Sequence, residues 1–366
     1  MGLSDRLPQF PWDSLAAATR RAGEHPGGIV DLSVGTPVDT TPELAMAALL
    51  ATADARGYPT VWGTPALREA ICGYLERRWN SDGVLSDDNV MPVIGTKELV
   101  GWLPTLLGLG GGDVVVIPEL AYPTYEVGAL TAGCAVVRCD DPARVPAGTR
   151  LIWINSPANP HGAIMSRERL AEWVSLARAR QAILASDECY GEFAWEGQPY
   201  SVLDRDVCGG DPTGLLAVHS VSKRSNMAGY RAGFVAGDAT TVQELVGVRK
   251  HLGMMVPTPV QAALAAVLDD DTAAATQVER YRARRALLLP ALRSAGFTID
   301  CSQGSLYLWA TRGEGCRVTV DWLAERGILV APGDFYGPAG AEHVRIALTA
   351  TDERIAAAAE RLVTQG

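Results

Sequence analysis

The sequence predicts an α/β protein: a large domain built on a mainly parallel sheet with helices on both faces, plus a smaller α+β domain. Three observations predict it. Short uninterrupted apolar runs such as Val114-Val115-Val116-Ile117 alternate with helix-like stretches from Pro42 to Pro257. Strands buried on both faces read this way, and strand–helix alternation favours parallel pairing. Beyond Pro257 the pattern changes to a long Ala/Leu/Arg-rich helical region followed by short strands. The 366-residue chain suits about two domains. The expected division is 42–280 for the large domain, with 1–41 and 281–366 together forming the small one. The N-terminal segment is too short to bury a core of its own.

Each element has its own justification. The segment to Thr41 is rich in Pro and Gly, with one helical stretch near Trp12 to Ala22 and, within Ile29 to Pro37, a short strand running into a glycine turn. Pro65 suits the first turn of a helix reaching Arg78. Val90 to Ile94 reads as a strand; Gly95-Thr96 then opens a helix to about Leu109, broken by Gly110-Gly111-Gly112. Further strands are expected at Val114–Ile117, Ala135–Val137, Leu151–Ile154, Ala182–Ala185 and Leu215–Val218. A continuous helical region is expected from Val260 to Ala295. After it come a hairpin-like stretch (Phe297 to Thr311), a helix (Val318 to Arg326), strands at Ile328–Val330 and Val344–Leu348, and a last helix from Thr351 to Thr364.

Composition narrows the function classes. A hydrophobic content of 48% and a charged content of 20% are ordinary for a globular protein. The net charge of −10, with no basic cluster, argues against nucleic acid as a partner. No apolar run approaches the roughly 20 residues a membrane helix needs, and the N-terminus has no secretory pattern. Seven cysteines, an odd number without a CxxC, suit a reducing cytoplasm.

The chemistry gathers at strand ends, where open α/β sheets bind ligands. Lys223 follows the run Leu215–Val218, with Ser220 and Ser222 before it and Arg231 after it. One amine, two hydroxyls and a guanidinium, without a metal-ligand pattern, suit a phosphorylated aldehyde: the amine forms a Schiff base and the rest hold the phosphate. The cofactor of that description is pyridoxal phosphate. Such a cofactor needs a carboxylate near its pyridine nitrogen, and Asp187 stands at another strand end. Tyr190 and Asn159 could reach the 3-oxygen, Gly95-Thr96-Lys97 could offer amides to the phosphate, and Tyr122 could stack on the ring. Singly, each has a plainer reading: a solvated lysine, an N-capping aspartate, core tyrosines, ordinary turns. Together, five strand ends in order carry what one cofactor requires.

At this point the chain resembles a family. Ser-x-Ser-Lys-x-x-Asn-x-x-Gly-x-Arg-x-Gly at 220–233, Asn-x-Pro-x-Asn-Pro-x-Gly at 155–162, Asp-Glu-x-Tyr at 187–190, Tyr-Pro-x-Tyr at 122–125 and a late Val-Arg-Ile at 344–346 are similar to class I/II, fold-type I pyridoxal-phosphate aminotransferases. The resemblance implies a large seven-stranded-type sheet. It makes Lys223 the cofactor-bearing lysine and proton shuttle, and pairs Asp187 with the pyridine nitrogen. Tyr190 and Asn159 contact the 3-oxygen, Tyr122 stacks on the ring, and Ser220, Ser222, Arg231 and the Gly95-Thr96-Lys97 turn hold the phosphate. Arg345 grips the substrate α-carboxylate, where the plainer reading is an exposed strand arginine, and Gly35 offers that carboxylate a backbone contact. Tyr58 reaches the phosphate of a neighbouring subunit, which implies a homodimer with shared active sites. Departures are His161, where many relatives have threonine, and Arg224, directly after the lysine.

For substrate, Phe10-Pro11-Trp12-Asp13, the stretch Gly28 to Asp39 and the Gly-Thr-Lys-Glu turn at 95–98 resemble actinobacterial succinyldiaminopimelate aminotransferases of lysine biosynthesis. This implies ping-pong amino transfer through Lys223 between N-succinyl-LL-2,6-diaminopimelate and 2-oxoglutarate, with 2-oxoglutarate and glutamate as the second substrate pair. The distal carboxylate of either substrate needs a cation, for which Lys97, Arg21 and Arg249 are candidates. The alternatives are aspartate or aromatic transamination, C–S β-elimination, and a non-catalytic binding module.

Overall fold

The computed structural model describes residues 2–363. The outermost residues of the expected small domain, Met1 and 364–366, lie outside the described residues, as does Thr364 at the end of the expected last helix.

Short β1 (Val30–Asp31) precedes the large sheet. That sheet uses β2 (Val90–Ile94), β3 (Val114–Ile117), β4 (Ala135–Arg138), β5 (Thr149–Asn155), β6 (Ile183–Asp187), β7 (Leu215–Ser220) and β8 (Ala232–Gly237). Their order is β2-β8-β7-β6-β5-β3-β4. All neighbours run parallel except β8, which is antiparallel to both β2 and β7. Alternate residues enter different cores. Val116, Ile152, Leu184 and Ala217 face one apolar cluster, and Val115, Trp153, Ala185 and Val218 face another. Both faces are covered, which explains the unbroken apolar runs.

A second, antiparallel sheet is formed by β9 (Thr298–Asp300), β10 (Tyr307–Thr311), β12 (Ala331–Pro332) and β13 (His343–Ala347) in the order β12-β13-β10-β9. Between them in sequence, β11 (Ile328–Leu329) pairs in parallel with β1. Leu15, Ala18, Val30 and Leu32 therefore share a core with Leu308, Ile346 and Ile355.

Three elements differ from expectation. Strand β8 is not among the expected strands, and Gly233 and Gly237 punctuate it. Those glycines permit close pairing: a Cβ on Gly233 would lie 2.8 Å from the carbonyl oxygen of His219 on β7. The expected continuous helix is two, Thr258–Leu268 and Asp271–Ser294. Asp270 causes the break, since its carboxylate accepts from the Ala273 amide and caps a new helix. The helix after Gly95 ends at Leu106, three residues short of Leu109. All seven cysteines are free thiols. No helix among the described residues is long and apolar enough to cross a membrane.

Candidate active site

Parallel pairing brings three strand ends together. Asn155 of β5 lies opposite Asp187 of β6, and Asp187 lies opposite Val218 of β7, two residues before Ser220. These ends floor a cavity of about 420 Å³. Lys223, Ser220, Ser222, Asp187, Tyr190, Asn159, Tyr122, Thr96, Lys97, Arg231, Gly35 and Arg345 all line it. Gly95 stands against the guanidinium of Arg231, so any Cβ there would collide with it. Tyr58 is not part of this cavity and is 99% exposed.

Charge dominates the cavity. Lys97, Lys223, Arg231 and Arg345 line it, and Asp187 is its one carboxylate among the described residues. Among the described residues none of the four cations has a carboxylate partner. Such a site attracts anions.

Asp187 is buried and held on both sides. One oxygen accepts from the Tyr125 hydroxyl at 2.7 Å, the other from the Cys189 amide at 3.2 Å. Tyr125 stacks on Trp153 with ring centres 4.9 Å apart. Burial first, and then the adjacent Asp187, push the Tyr125 hydroxyl well above its ordinary range, so it remains a donor. The N-cap expected as the plainer role of Asp187 is only an amide contact two residues on. Ser220 does cap, accepting from the Ser222 amide at 3.1 Å as the one-turn helix Val221–Arg224 begins. Lys223 sits on that turn. Arg231 adopts the left-handed conformation at φ 56° and donates to the Ala228 carbonyl at 2.8 Å, which turns its head towards Gly95.

Arg345 is 2% exposed, which corrects the exposed-strand alternative. It donates to Asn159 Oδ1 at 3.0 Å and to the Ser33 carbonyl at 2.5 Å. Among the described residues its Nε has no partner. The Asn159 amide oxygen is thereby committed, which leaves its NH2 for the cavity. The Asn159 backbone is fixed by donation to Asn155 Oδ1 at 2.7 Å.

Of the three cations proposed for a distal carboxylate, only Lys97 lines the cavity. Its Nζ lies 5.8 Å from the Phe10 ring and 5.6 Å from the Tyr122 ring. Arg21 is corrected: it pairs with Asp321 at the surface, 3.0 Å apart. Arg249 is corrected too, since it is fully buried and grips Glu98 at 2.8 and 3.1 Å.

Sequence reading missed several residues of the site. Phe10, Trp12, Cys189 and Tyr307 line it too. Tyr125 was visible only as the last letter of Tyr-Pro-x-Tyr. Tyr307 had no signal at all, because a tyrosine in an apolar strand reads as core.

Arg224, the departure beside the lysine, is a buried tie. It meets Glu192 at 3.2 Å and Asp271 at 3.4 Å, and Glu192 also meets Arg78 at 2.6 Å. Burial alone would raise the Glu192 carboxyl, but Arg224 and Arg78 outweigh it and hold it below its ordinary range. Its folded value therefore lies below the unfolded value of about 4.3. That stabilisation is fully present above the unfolded value and is lost as pH falls through the folded one. Glu192→Gln is expected to cost about 3 kcal/mol of stability at neutral pH. Denaturant midpoints should show the gap to wild type narrowing below about pH 4.

The profile of the family described as aminotransferase class I and II matches residues 28–362. The chain belongs to that family. This aminotransferase is similar to a probable aminotransferase of Mycobacterium tuberculosis, 59% identical over 99% of this chain and 86% of the relative. It is 53% identical to the 4-dedimethylamino-4-oxo-anhydrotetracycline transaminase of Streptomyces rimosus, over 97% of this chain and 99% of that one. An LL-diaminopimelate aminotransferase of Gloeobacter violaceus is 31% identical, over 99% of this chain and 97% of the relative. Among solved structures, the aspartate aminotransferase of Thermus thermophilus with maleate superposes with a TM-score of 0.86, at 25% identity and 99% and 98% coverage. The fold is that of fold-type I aminotransferases, and the enzyme is a pyridoxal-phosphate-dependent transaminase acting between an amino acid and a 2-oxo acid. The cavity fits that cofactor: one carboxylate with a tyrosine donor behind it, an unpaired lysine, and an unpaired arginine beside two serines and a helix N-terminus.

Proposed function

We propose that this aminotransferase exchanges an amino group between N-succinyl-LL-2,6-diaminopimelate and 2-oxoglutarate, a step of diaminopimelate and lysine biosynthesis. The observation that carries this reading is Lys97, a cation without a carboxylate partner at the cavity wall, in addition to Arg345. Both substrates carry an α-carboxylate and a distal carboxylate. Two separate cations answer that pattern, with Arg345 for the near group and Lys97 for the far one. The diaminopimelate-acting relative and the maleate-bound relative agree with a dicarboxylic substrate.

Pyridoxal phosphate, when bound, supplies a carbonyl that condenses with amines and a ring that takes up the electron pair released at the substrate Cα. Arg231, Ser220, Ser222 and the amides of the Gly95-Thr96-Lys97 turn would hold its phosphate. Asp187, fixed by Tyr125, would keep a proton on the ring nitrogen. Tyr190 and the free NH2 of Asn159 would donate to the 3-oxygen, and Tyr122 would cover the ring. Arg345 and the backbone at Gly35 orient the α-carboxylate. Lys223 Nζ, which lines the cavity, would be the base that takes the substrate Cα proton and gives it back. One set of residues thus serves both half-reactions, which gives ping-pong kinetics. Tyr58, fully exposed and away from its own cavity, reaches the phosphate of a second copy in a homodimer.

A second reading rests on the tetracycline-pathway relative: a bulky cyclic ketone as acceptor, seated on the aromatic mouth of Phe10, Trp12 and Tyr122. Single-turnover absorbance separates the readings. Rapid spectral conversion with N-succinyl-LL-diaminopimelate and with glutamate supports the first. Conversion with aspartate or phenylalanine instead discards it, and release of ammonia and a thiol identifies a β-lyase. Lys97→Met is expected to raise KM for the succinylated substrate about 10- to 100-fold, as loss of a charged hydrogen bond does. KM for alanine, which lacks a distal carboxylate, should stay unchanged. Equal effects on both would sink the assignment of Lys97.

A further inference from the structure

Arg345 is a buried cation surrounded by rings instead of carboxylates. Its guanidinium carbon lies 3.9 Å from the Tyr307 ring, 5.1 Å from Tyr336 and 6.0 Å from Trp12. Tyr307 is the nearest, and the sheet register explains why. Trp309 of β10 sits directly opposite Arg345 of β13, so Tyr307, two residues away, is its diagonal neighbour on the same face. The Tyr307 hydroxyl reaches the other way and meets the Tyr190 hydroxyl at 3.0 Å. Tyr307 is 2% exposed, so this hydroxyl has no bulk water to replace that partner. A Cβ at Gly35 would come within 2.7 Å of the same oxygen, so only glycine lets this loop pack so close to the Tyr307 hydroxyl.

We propose that Tyr307 is a positioning residue that joins the carboxylate receptor to the cofactor-facing hydroxyl: its ring braces Arg345 and its hydroxyl feeds Tyr190. The proposal rests on the aminotransferase reading of the site. Its two halves follow from different parts of one side chain. The ring offers its electron-rich face to a guanidinium that has no counter-anion among the described residues, and holds it where its unpartnered Nε remains for a carboxylate. The hydroxyl forms half of a reversible pair. When an acceptor lies opposite Tyr190, Tyr190 donates to it and accepts from Tyr307. A hydroxyl that accepts one hydrogen bond donates a stronger one, so Tyr307 strengthens the hold of Tyr190 on an oxygen anion. No other hydroxyl is within bonding distance of Tyr190 among the described residues.

The test uses Tyr307→Phe and Tyr307→Leu beside wild type, with two readouts. The first is the dissociation constant of maleate, an unreactive dicarboxylate, measured by tryptophan fluorescence on protein without cofactor. The second is the pH midpoint of the visible absorption after loading with pyridoxal phosphate. Tyr307→Phe keeps the ring, so maleate affinity should stay within about twofold while the midpoint moves up by about half a unit, the scale of one modest hydrogen bond. Tyr307→Leu removes ring and hydroxyl, so maleate should bind about tenfold more weakly and the midpoint should also rise. Maleate affinity equal to wild type in Tyr307→Leu, or an unmoved midpoint in Tyr307→Phe, overturns the proposal. If Tyr307→Leu fails to fold, the midpoint of the isosteric Tyr307→Phe variant decides by itself. Wild type that takes up no pyridoxal phosphate overturns the aminotransferase reading and this proposal with it. Wild type that loads normally while both variants match it overturns the proposal alone.

Discussion

Lys223→Ala is expected to reduce turnover by at least about 10⁴-fold, because it removes both the covalent attachment and the base that moves the Cα proton. The cofactor itself should still bind. Arg231, Ser220, Ser222 and Asp187 remain in place, and none of their contacts runs through the lysine side chain. Three measurements check this. Borohydride should no longer fix the cofactor to the protein mass in the variant. A spin column should show pyridoxal phosphate retained yet exchangeable. Added small primary amines should restore part of the lost rate, which a merely structural lysine would not allow. Turnover above about a hundredth of wild type would remove Lys223 from the mechanism.

Arg345→Leu has the second largest expected effect, a fall in kcat/KM of about 10²- to 10³-fold in both half-reactions, the usual consequence of deleting one partner of a buried charge pair. Arg345 is a buried cation lining the cavity, its Nε has no partner among the described residues, and every group now bonded to it is neutral. A carboxylate entering the site meets a guanidinium without a competing anion. Arg345→Lys keeps the charge but loses the two-pronged geometry, so it should recover only part of the loss. Because both amino donor and 2-oxo acceptor carry the α-carboxylate, the two half-reactions must fall together. A defect confined to one of them would assign Arg345 to a distal group and reverse the order of the two cations.

The parts legible in sequence were those written within a few adjacent residues. Strands β5, β6 and β7 announce themselves as apolar runs, and their ends carry Asn155, Asp187 and Ser220 in plain view. What stayed hidden depends on register between distant segments. Tyr307 reaches Arg345 only because β10 and β13 pair with Trp309 opposite Arg345. Arg249 and Lys97 look equivalent as isolated cations, but Glu98, next to Lys97 in sequence, faces the opposite way and neutralises Arg249. The glycines of β8 mimic a loop while enabling close strand contact, and Asp270 divides a helix whose composition reads as continuous.

The pairing of β1 with β11 joins segments about 300 residues apart, the kind of contact that slows folding. It also imposes a timetable on synthesis. The groups proposed to hold the cofactor, from Gly95 to Arg231, leave the ribosome early and share one sheet. Arg345, the Gly35 loop's support and the ring of Tyr307 arrive with the final strands. A nascent or truncated chain can therefore present the aldehyde-binding groups without any means of choosing an amino acid, and the amino-acid end of the site closes only when translation is nearly complete.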